Sequence, residues 1–240
     1  MSNMVNRLTS RLLNQKIRDK VLQMCPGVIT HVETREPVAA LTFDDGPHPV
    51  YTPRVLSILE KHGANATFFM VGMRARRYPE IMKSVAKAGH VIGNHSWDHP
   101  NLNQIRFRHR RLKQMWACAR ATAPFCRGLF RPPFGAHNNQ IRLDALLFRY
   151  KIILWSVSAQ DWLPQESEDI AHKIMDRVTP GSIFLLHDAI SSETPDTQAD
   201  RKPMLDGLEM ALAVLKRQIR FITVPELLLA GRPVSDWPLS

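Results

Sequence analysis

From residue 38 onward, apolar runs of strand length alternate with stretches whose apolar positions recur at helical spacing. Val38–Phe43 is apolar except for Thr42 and reads as a buried strand. Tyr51–His62 follows as a helix with Val55, Leu56 and Leu59 turned inward. Ala66–Val71 is a second strand, rich in phenylalanine and ended by Gly72. In the helix Tyr78–Ala88, Pro79 suits the first turn and Gly89 the C-terminal cap. Val91–Gly93 predicts a short strand that leads into a polar loop, and Leu102–Ala121 a long basic helix. The second half continues with strand Gly128–Arg131, helix Gln140–Tyr150 and strand Ile152–Ser156. Then come helix Glu166–Val178, strand Ser182–His187, helix Met204–Arg217 and a last strand, Phe221–Val224. Seven strands alternating with helices, with no linker and no internal repeat, predict one α/β domain built on a parallel sheet. Residues 1–30 stand outside this rhythm and form an N-terminal extension; the domain proper is 31–240.

Composition and charge narrow the picture only slightly. At 240 residues, 44% hydrophobic and 22% charged, the chain can bury a sizeable core without disulfides or a structural metal. No apolar run reaches the roughly 18 residues of a membrane span, and residues 1–24 have no continuous apolar core of a secretory signal. A cytoplasmic location is therefore expected. The net charge of +10 favours anionic partners without choosing among them. Residues 1–24 carry five basic residues and one acidic, with Val5, Leu8, Leu12, Ile17 and Val21 interspersed. They predict a basic helix docked on the domain, with an anionic surface of the inner membrane as the alternative seat. The run Arg106–Lys113 reads as a solvated helix face; Phe107 is its one aromatic, so specific nucleic-acid binding is not expected. Cys25, Cys118 and Cys126 form no CxxC pair and are expected to be reduced thiols.

Chemistry-bearing residues gather where strands end. In parallel barrels the active site lies at the C-terminal ends of the strands. Asp44-Asp45 follows the first strand, His95 and His99 the third, Arg131 the fourth, Asp161 the fifth, and His187-Asp188 ends the sixth. Each has a bland reading: a solvated turn for Asp44-Asp45-Gly46, an incidental histidine pair, a surface arginine, a helix cap at Asp161, a core histidine at 187. All five at strand ends make that set of coincidences untenable. Adjacent carboxylates on a strand point to opposite faces, so Gly46 and Pro47 must supply a turn for both to converge. Two imidazoles four residues apart, with one aspartate, make a two-histidine, one-carboxylate set that can hold a divalent metal with positions left open.

The segments TFDDGP, HSWDH, RPPFG, the DW of SAQDW, and LLHD stand in the order of the five motifs of the polysaccharide deacetylase family, which the chain resembles over about residues 38–225. This is the NodB-homology domain of carbohydrate esterase family four. The resemblance implies a distorted seven-stranded (β/α) barrel. It also implies that Asp45, His95 and His99 bind the metal, usually zinc, with cobalt or nickel also accepted. Asp44 would be the base that activates a water on the metal, with Arg131 favouring its charged form. His187 would be the acid that protonates the departing amine, held by Asp161. The backbone amide near Phe134 would help stabilise the oxyanion. Pro133 and Phe134 would contact substrate, with Leu185 and Trp162 around the acetyl methyl; Phe134 stands where many members have tyrosine. The implied activity is metal-dependent removal of N-acetyl groups from an amino sugar in an oligosaccharide, a polysaccharide or a lipid-linked glycan, resembling the chitooligosaccharide deacetylases. A peptidoglycan N-acetylglucosamine deacetylase and an O-acetyl xylan esterase are the enzymatic alternatives. A catalytically silent glycan-binding protein is the alternative of another class; it would be expected to lack the base, acid or a ligand, and none is missing here.

Overall fold

Strand β2 (Val38–Asp44) is buried along its whole length because it lies in the middle of a parallel sheet with both faces covered. The computed structural model describes residues 27–191 and 200–235. The strands are β1 (Ile29–Glu33), β2, β3 (Ala66–Met70), β4 (Val91–Asn94), β5 (Cys126–Phe130), β6 (Lys151–Ile152), β7 (Val157–Ser158), β8 (Ile183–His187), β9 (Arg220–Phe221) and β10 (Arg232–Ser235). The helices are α1 (Tyr51–Lys61), α2 (Gly72–Arg77), α3 (Pro79–Lys87), α4 (Arg108–Ala121), α5 (Asn139–Leu147), α6 (Ser167–Met175), α7 (Lys202–Leu215) and α8 (Val224–Leu227). Strands run in the order β6-β5-β4-β3-β2-β8-β7, with β9 added to β2, and every neighbour in this sheet is parallel. The sheet curls into a half-barrel surrounded by helices, as expected of a distorted (β/α) barrel.

Side chains of β2 alternate between two cores. Ala39, Leu41 and Phe43 pack with Val55 and Leu59 of α1 and with Leu205, Leu208 and Leu212 of α7. Val38 and Ala40 face the other way, onto Ile29, Ile153 and Ile183. Burying each such aliphatic or aromatic side chain contributes roughly 1.5–3 kcal/mol. By the same alternation Thr42 and Asp44 belong to the second face, which sets up the site.

Several predicted elements change on folding. The strand expected at Ile152–Ser156 is two short strands, β6 on β5 and β7 on β8. Between them the sheet is bridged by β1: Leu154 N donates to Ile29 O at 2.8 Å, and Val32 N to Gly181 O at 3.0 Å. Strand β1 also pairs antiparallel with β10. Residues 27–30, which the sequence placed in the extension, thus belong to the fold, with Val28 and Ile29 buried. The basic helix expected for residues 1–24 lies outside the described residues. The last predicted strand stops at Phe221, because Thr223 and Glu226 form a capping box that starts α8 at Val224. The helix expected from Leu102 begins at Arg108, after a separate 3-10 turn at Leu102–Gln104. Helix α2 was not anticipated. Its Gly72 lies so close to α4 that a Cβ there would come 2.8 Å from the Cys118 backbone.

Helix α5 is capped at its start by Asn138, whose side chain accepts from Gln140 N and Ile141 N. It ends in a Schellman turn: Tyr150 N donates to Ala145 O at 3.0 Å and Arg149 N to Leu146 O at 2.9 Å, with Arg149 at φ 56°. Cys118 is a buried free thiol. Among the described residues no helix is long and apolar enough to cross a membrane.

Candidate active site

Strand register brings the distant motifs together. Asp44 and His187 are paired positions across β2 and β8. Met70 pairs with Asn94, so His95 begins the loop at the next strand end. Asn94 pairs with Phe130, and Arg131 N donates to Asn94 O at 3.0 Å. The resulting cleft of about 470 Å³ is lined by Asp44, Asp45, His95, His99 and His187 together with Phe134, Trp155, Trp162, Leu185 and Ile190.

Arg131 is fully buried beneath Asp44. It donates to Asp44 Oδ1 at 2.8 Å, Thr42 Oγ1 at 2.6 Å, Ile153 O at 3.0 Å and Leu154 O at 2.8 Å. Its guanidinium also lies 4.2 Å from the centre of the Phe69 ring. A buried cation needs this many partners to offset desolvation, and a planar fork can reach them all. Asp44 Oδ2 faces His95 Nε2 at 3.7 Å.

Asp45 would point away from Asp44 if the strand continued. Its φ of 74° ends the strand and swings the carboxylate back to the same side. Gly46 is required next: a Cβ there would lie 2.2 Å from Asp188 Oδ2. Asp45 Oδ2 accepts from Ser191 N at 2.8 Å. Its Oδ1 is buried without a hydrogen-bond partner, 3.2 Å from His99 Nε2 and 3.4 Å from His95 Nε2. The three side chains offer ligand atoms within 4.8 Å of one another. His95 Nδ1 lies 2.8 Å from Arg131 O. A carbonyl only accepts, so Nδ1 carries the proton and Nε2 presents its lone pair. Burial and the neighbouring His95 push His99 down to about 4, against the pull of Asp45 and Asp44, which keeps the imidazole neutral. Burial would raise the Asp45 carboxyl, but its interactions with the His95 and His99 imidazoles beside it outweigh that and hold it well below the usual range. An unpartnered carboxylate oxygen facing two imidazole nitrogens fits a divalent cation, and the donor set suits zinc.

Across the cleft, His187 Nδ1 lies 3.0 Å from Asp161 Oδ1, and His187 N donates to Asp161 Oδ2 at 2.8 Å. Burial alone would lower the imidazole, but Asp161 prevails and raises it to about 9. Arg201 donates to Asp161 Oδ2, to Asp161 O at 2.6 Å and to His187 O at 3.0 Å, locking the pair from behind. Trp162 meets the His187 ring edge-on, with centroids 5.3 Å apart.

Phe134 has φ 60° and ψ 11°, is 67% exposed, and meets the His99 ring at 4.6 Å. Pro133, the first residue of that turn, is buried and is not among the residues lining the cleft. Of the six described non-glycine residues with positive φ, four are Asp45, Ser96, His99 and Phe134. Such conformations cost roughly 1–3 kcal/mol each, and here they crowd around one cleft.

Sequence reasoning did not find Arg201, Ser191 or the partners of Asp188. Thr52 Oγ1 donates to Asp188 Oδ2, and burial raises the Asp188 carboxyl to about 6. Arg201 carries no motif signal; the need of buried Asp161 for a second cationic partner is the one clue that could have led to it.

The profile of the polysaccharide deacetylase family matches residues 31–153. A chitooligosaccharide deacetylase of Azorhizobium caulinodans is 39% identical over 180 residues, covering 73% of this chain and 83% of the relative. A peptidoglycan-N-acetylglucosamine deacetylase of Bacillus cereus is 36% identical over 220 residues, covering 87% of this chain and 96% of the relative. Among solved structures, the Bc1960 peptidoglycan N-acetylglucosamine deacetylase in complex with 4-naphthalen-1-yl-N-oxidanyl-benzamide superposes with a TM-score of 0.75 at 29% identity, over 85% of this chain and 94% of that one. Fold and site thus define a carbohydrate deacetylase of carbohydrate esterase family four. The chain belongs to the polysaccharide deacetylase family.

Proposed function

We propose that this protein hydrolyses the N-acetyl group of an N-acetylated amino sugar within an oligo- or polysaccharide, with a divalent cation, zinc by its donor set, held by Asp45, His95 and His99. The observation that carries the reading is the placement of Asp44 and His187 at paired strand ends beside that triad. When bound, such a cation supplies Lewis-acid stabilisation of the negative charge that develops on the acetyl oxygen. Asp44 has one oxygen tied to Arg131 and the other directed at the triad. It therefore takes a proton from the attacking water. His187 has its Nδ1 anchored on Asp161, and its protonated form gives a proton to the leaving nitrogen, without which an amide does not expel an amine. Leu185, Trp155, Trp162 and Ile190 give the acetyl methyl an apolar seat.

Acetyl loss from a chitooligosaccharide panel, followed by mass spectrometry on zinc-loaded protein and on Asp44→Asn, tests this. Loss that needs Asp44 and stops with chelator is the expected result. No loss from any oligomer by protein with bound metal would reject the chitooligosaccharide substrate. Peptidoglycan N-acetylglucosamine is the second substrate reading, favoured by the 96% coverage of the Bacillus cereus relative.

A further inference from the structure

Beside the cleft lies a second groove, of about 1040 Å³, which the proposed chemistry does not use. Asp98, next to metal-ligand candidate His99, lines both cavities and is, among the described residues, the only acidic one lining the groove. Five cations line it: Arg76, Arg106, Arg110, Lys113 and Arg120. None of them forms an ion pair among the described residues. The basic run at the start of α4 is thereby divided. Arg108 and Arg111 turn to α5, each with its Nε 2.7 Å from Asp144, and are structural. Arg110 and Lys113, three residues apart on another side of the helix, face the groove with their charges unmatched.

Aromatic rings stand among these cations. Trp116 is 50% and Phe107 53% exposed. Arg120 lies 5.0 Å from the Trp116 ring centre, Arg110 5.5 Å from Phe107 and Arg76 4.8 Å from Trp97. Stacking on a ring holds an arginine fork in place while its outer N–H groups stay available to a carboxylate. The floor is joined to the metal loop, since Gln114 Oε1 of α4 accepts from Trp97 N at 3.0 Å and Asp98 N at 3.3 Å.

We infer that this groove binds an acidic sugar unit, a uronate or another carboxylate-bearing residue, of the same glycan whose N-acetylated unit occupies the cleft. The choice of a glycan rests on the deacetylase reading; the sign of its charge rests on the five unmatched cations. Ring faces suit the apolar side of a pyranose, and the guanidinium forks suit its carboxylate.

Calorimetric titration of the zinc-loaded full chain, carrying Asp44→Asn to prevent turnover, tests this with two probes of equal length. One is a hyaluronan hexasaccharide, alternating glucuronate with N-acetylglucosamine; the other is neutral chitohexaose. The acidic probe is expected to bind about tenfold more tightly at low salt, an advantage that shrinks as salt is added. In a chain also carrying Arg106→Gln, Arg110→Gln and Lys113→Gln, the two probes are expected to bind alike. Equal affinities without those three changes, or a preference that survives them, would overturn the inference. Binding of phosphatidylglycerol vesicles through the same three residues, with no preference for the acidic hexasaccharide, would assign the groove to a lipid surface instead. Acetyl release by the unsubstituted chain is scored separately, so a failed groove and a failed deacetylase give different results.

Discussion

Replacing Asp161 by asparagine removes one negative charge from beside the His187 imidazole and changes the shape of the site very little. The raised value of about 9 for His187 means that its charged, proton-donating form persists well above neutral pH. Burial acts in the opposite sense and Asp161 is the strongest of the groups that raise the imidazole, Asp45 and Asp44 adding less, so without the Asp161 charge it falls back toward its ordinary 6.5. Hydrogen bonding adds to this. Oδ2 of Asp161 accepts from both His187 N and Arg201, so the asparagine oxygen must take that place and its NH2 must face Nδ1. An NH2 facing Nδ1 favours an unprotonated nitrogen there. At pH 7.5 nearly all of the wild-type imidazole is charged, against about a tenth for an imidazole returned to 6.5 in Asp161→Asn, a loss of about tenfold before any effect on orientation. The assay is kcat/KM for acetyl release from a chitooligosaccharide between pH 6 and 10. The alkaline limb is expected to move down by about two pH units or more. A cation at Asp45, His95 and His99 lowers both limbs together, so the difference between the two proteins carries the argument. Superimposable profiles, or a limb that moves upward, would refute it.

Three other perturbations have defined outcomes. Arg131→Met leaves Asp44 buried without its cation and should cost about 3–5 kcal/mol in chemical denaturation, part of which Asp44→Asn in the same chain should restore. Gly46→Ala drives a Cβ into the Asp188 carboxylate and should lower stability by about 1–3 kcal/mol, read as a lower melting temperature. Chelation should abolish acetyl release and zinc should restore it. The far-ultraviolet circular dichroism should be unchanged throughout, because the three ligand candidates lie at strand ends and outside the hydrophobic cores.

Much of the site was legible because parallel strands convert sequence order into spatial order. Each motif closes a strand or opens the loop after it, so knowing that strands β2, β4, β5 and β8 are neighbours or near neighbours suffices to gather Asp44, His95, Arg131 and His187. What escaped the sequence acts through geometry that has no local pattern. Arg201 reaches Asp161 from the start of α7, forty residues away along the chain. Strand β1 was hidden because only Ile29 and Val32 of Ile29–Glu33 are buried, three positions apart and so without the alternation of a half-buried strand, and because it precedes the first strong apolar run. The break between β6 and β7 was hidden because Ile152–Ser156 is apolar throughout most of its length; after buried Ile153, whose N–H still reaches Phe130 O of β5, the chain leaves β5 and bonds to β1 through Leu154 N. The capping box at Thr223 was readable, and its T-x-x-E pattern outweighs the apolar Phe221–Val224 run once tertiary pairing ends at Phe221.

Arg149 offers a way to make this protein sturdier without touching its chemistry. It fills the left-handed position of the Schellman turn after α5, where a side chain costs roughly 1–2 kcal/mol and glycine costs nothing in the folded chain. Glycine's greater freedom when unfolded takes back about 0.5–1 kcal/mol, so Arg149→Gly should still raise the melting temperature by a few degrees. At His99, whose φ of 59° is nearly the same, the identical exchange would delete a ligand candidate. Room for engineering heat resistance therefore lies on the far side of the helices, while the cleft must keep its awkward backbone to keep its function.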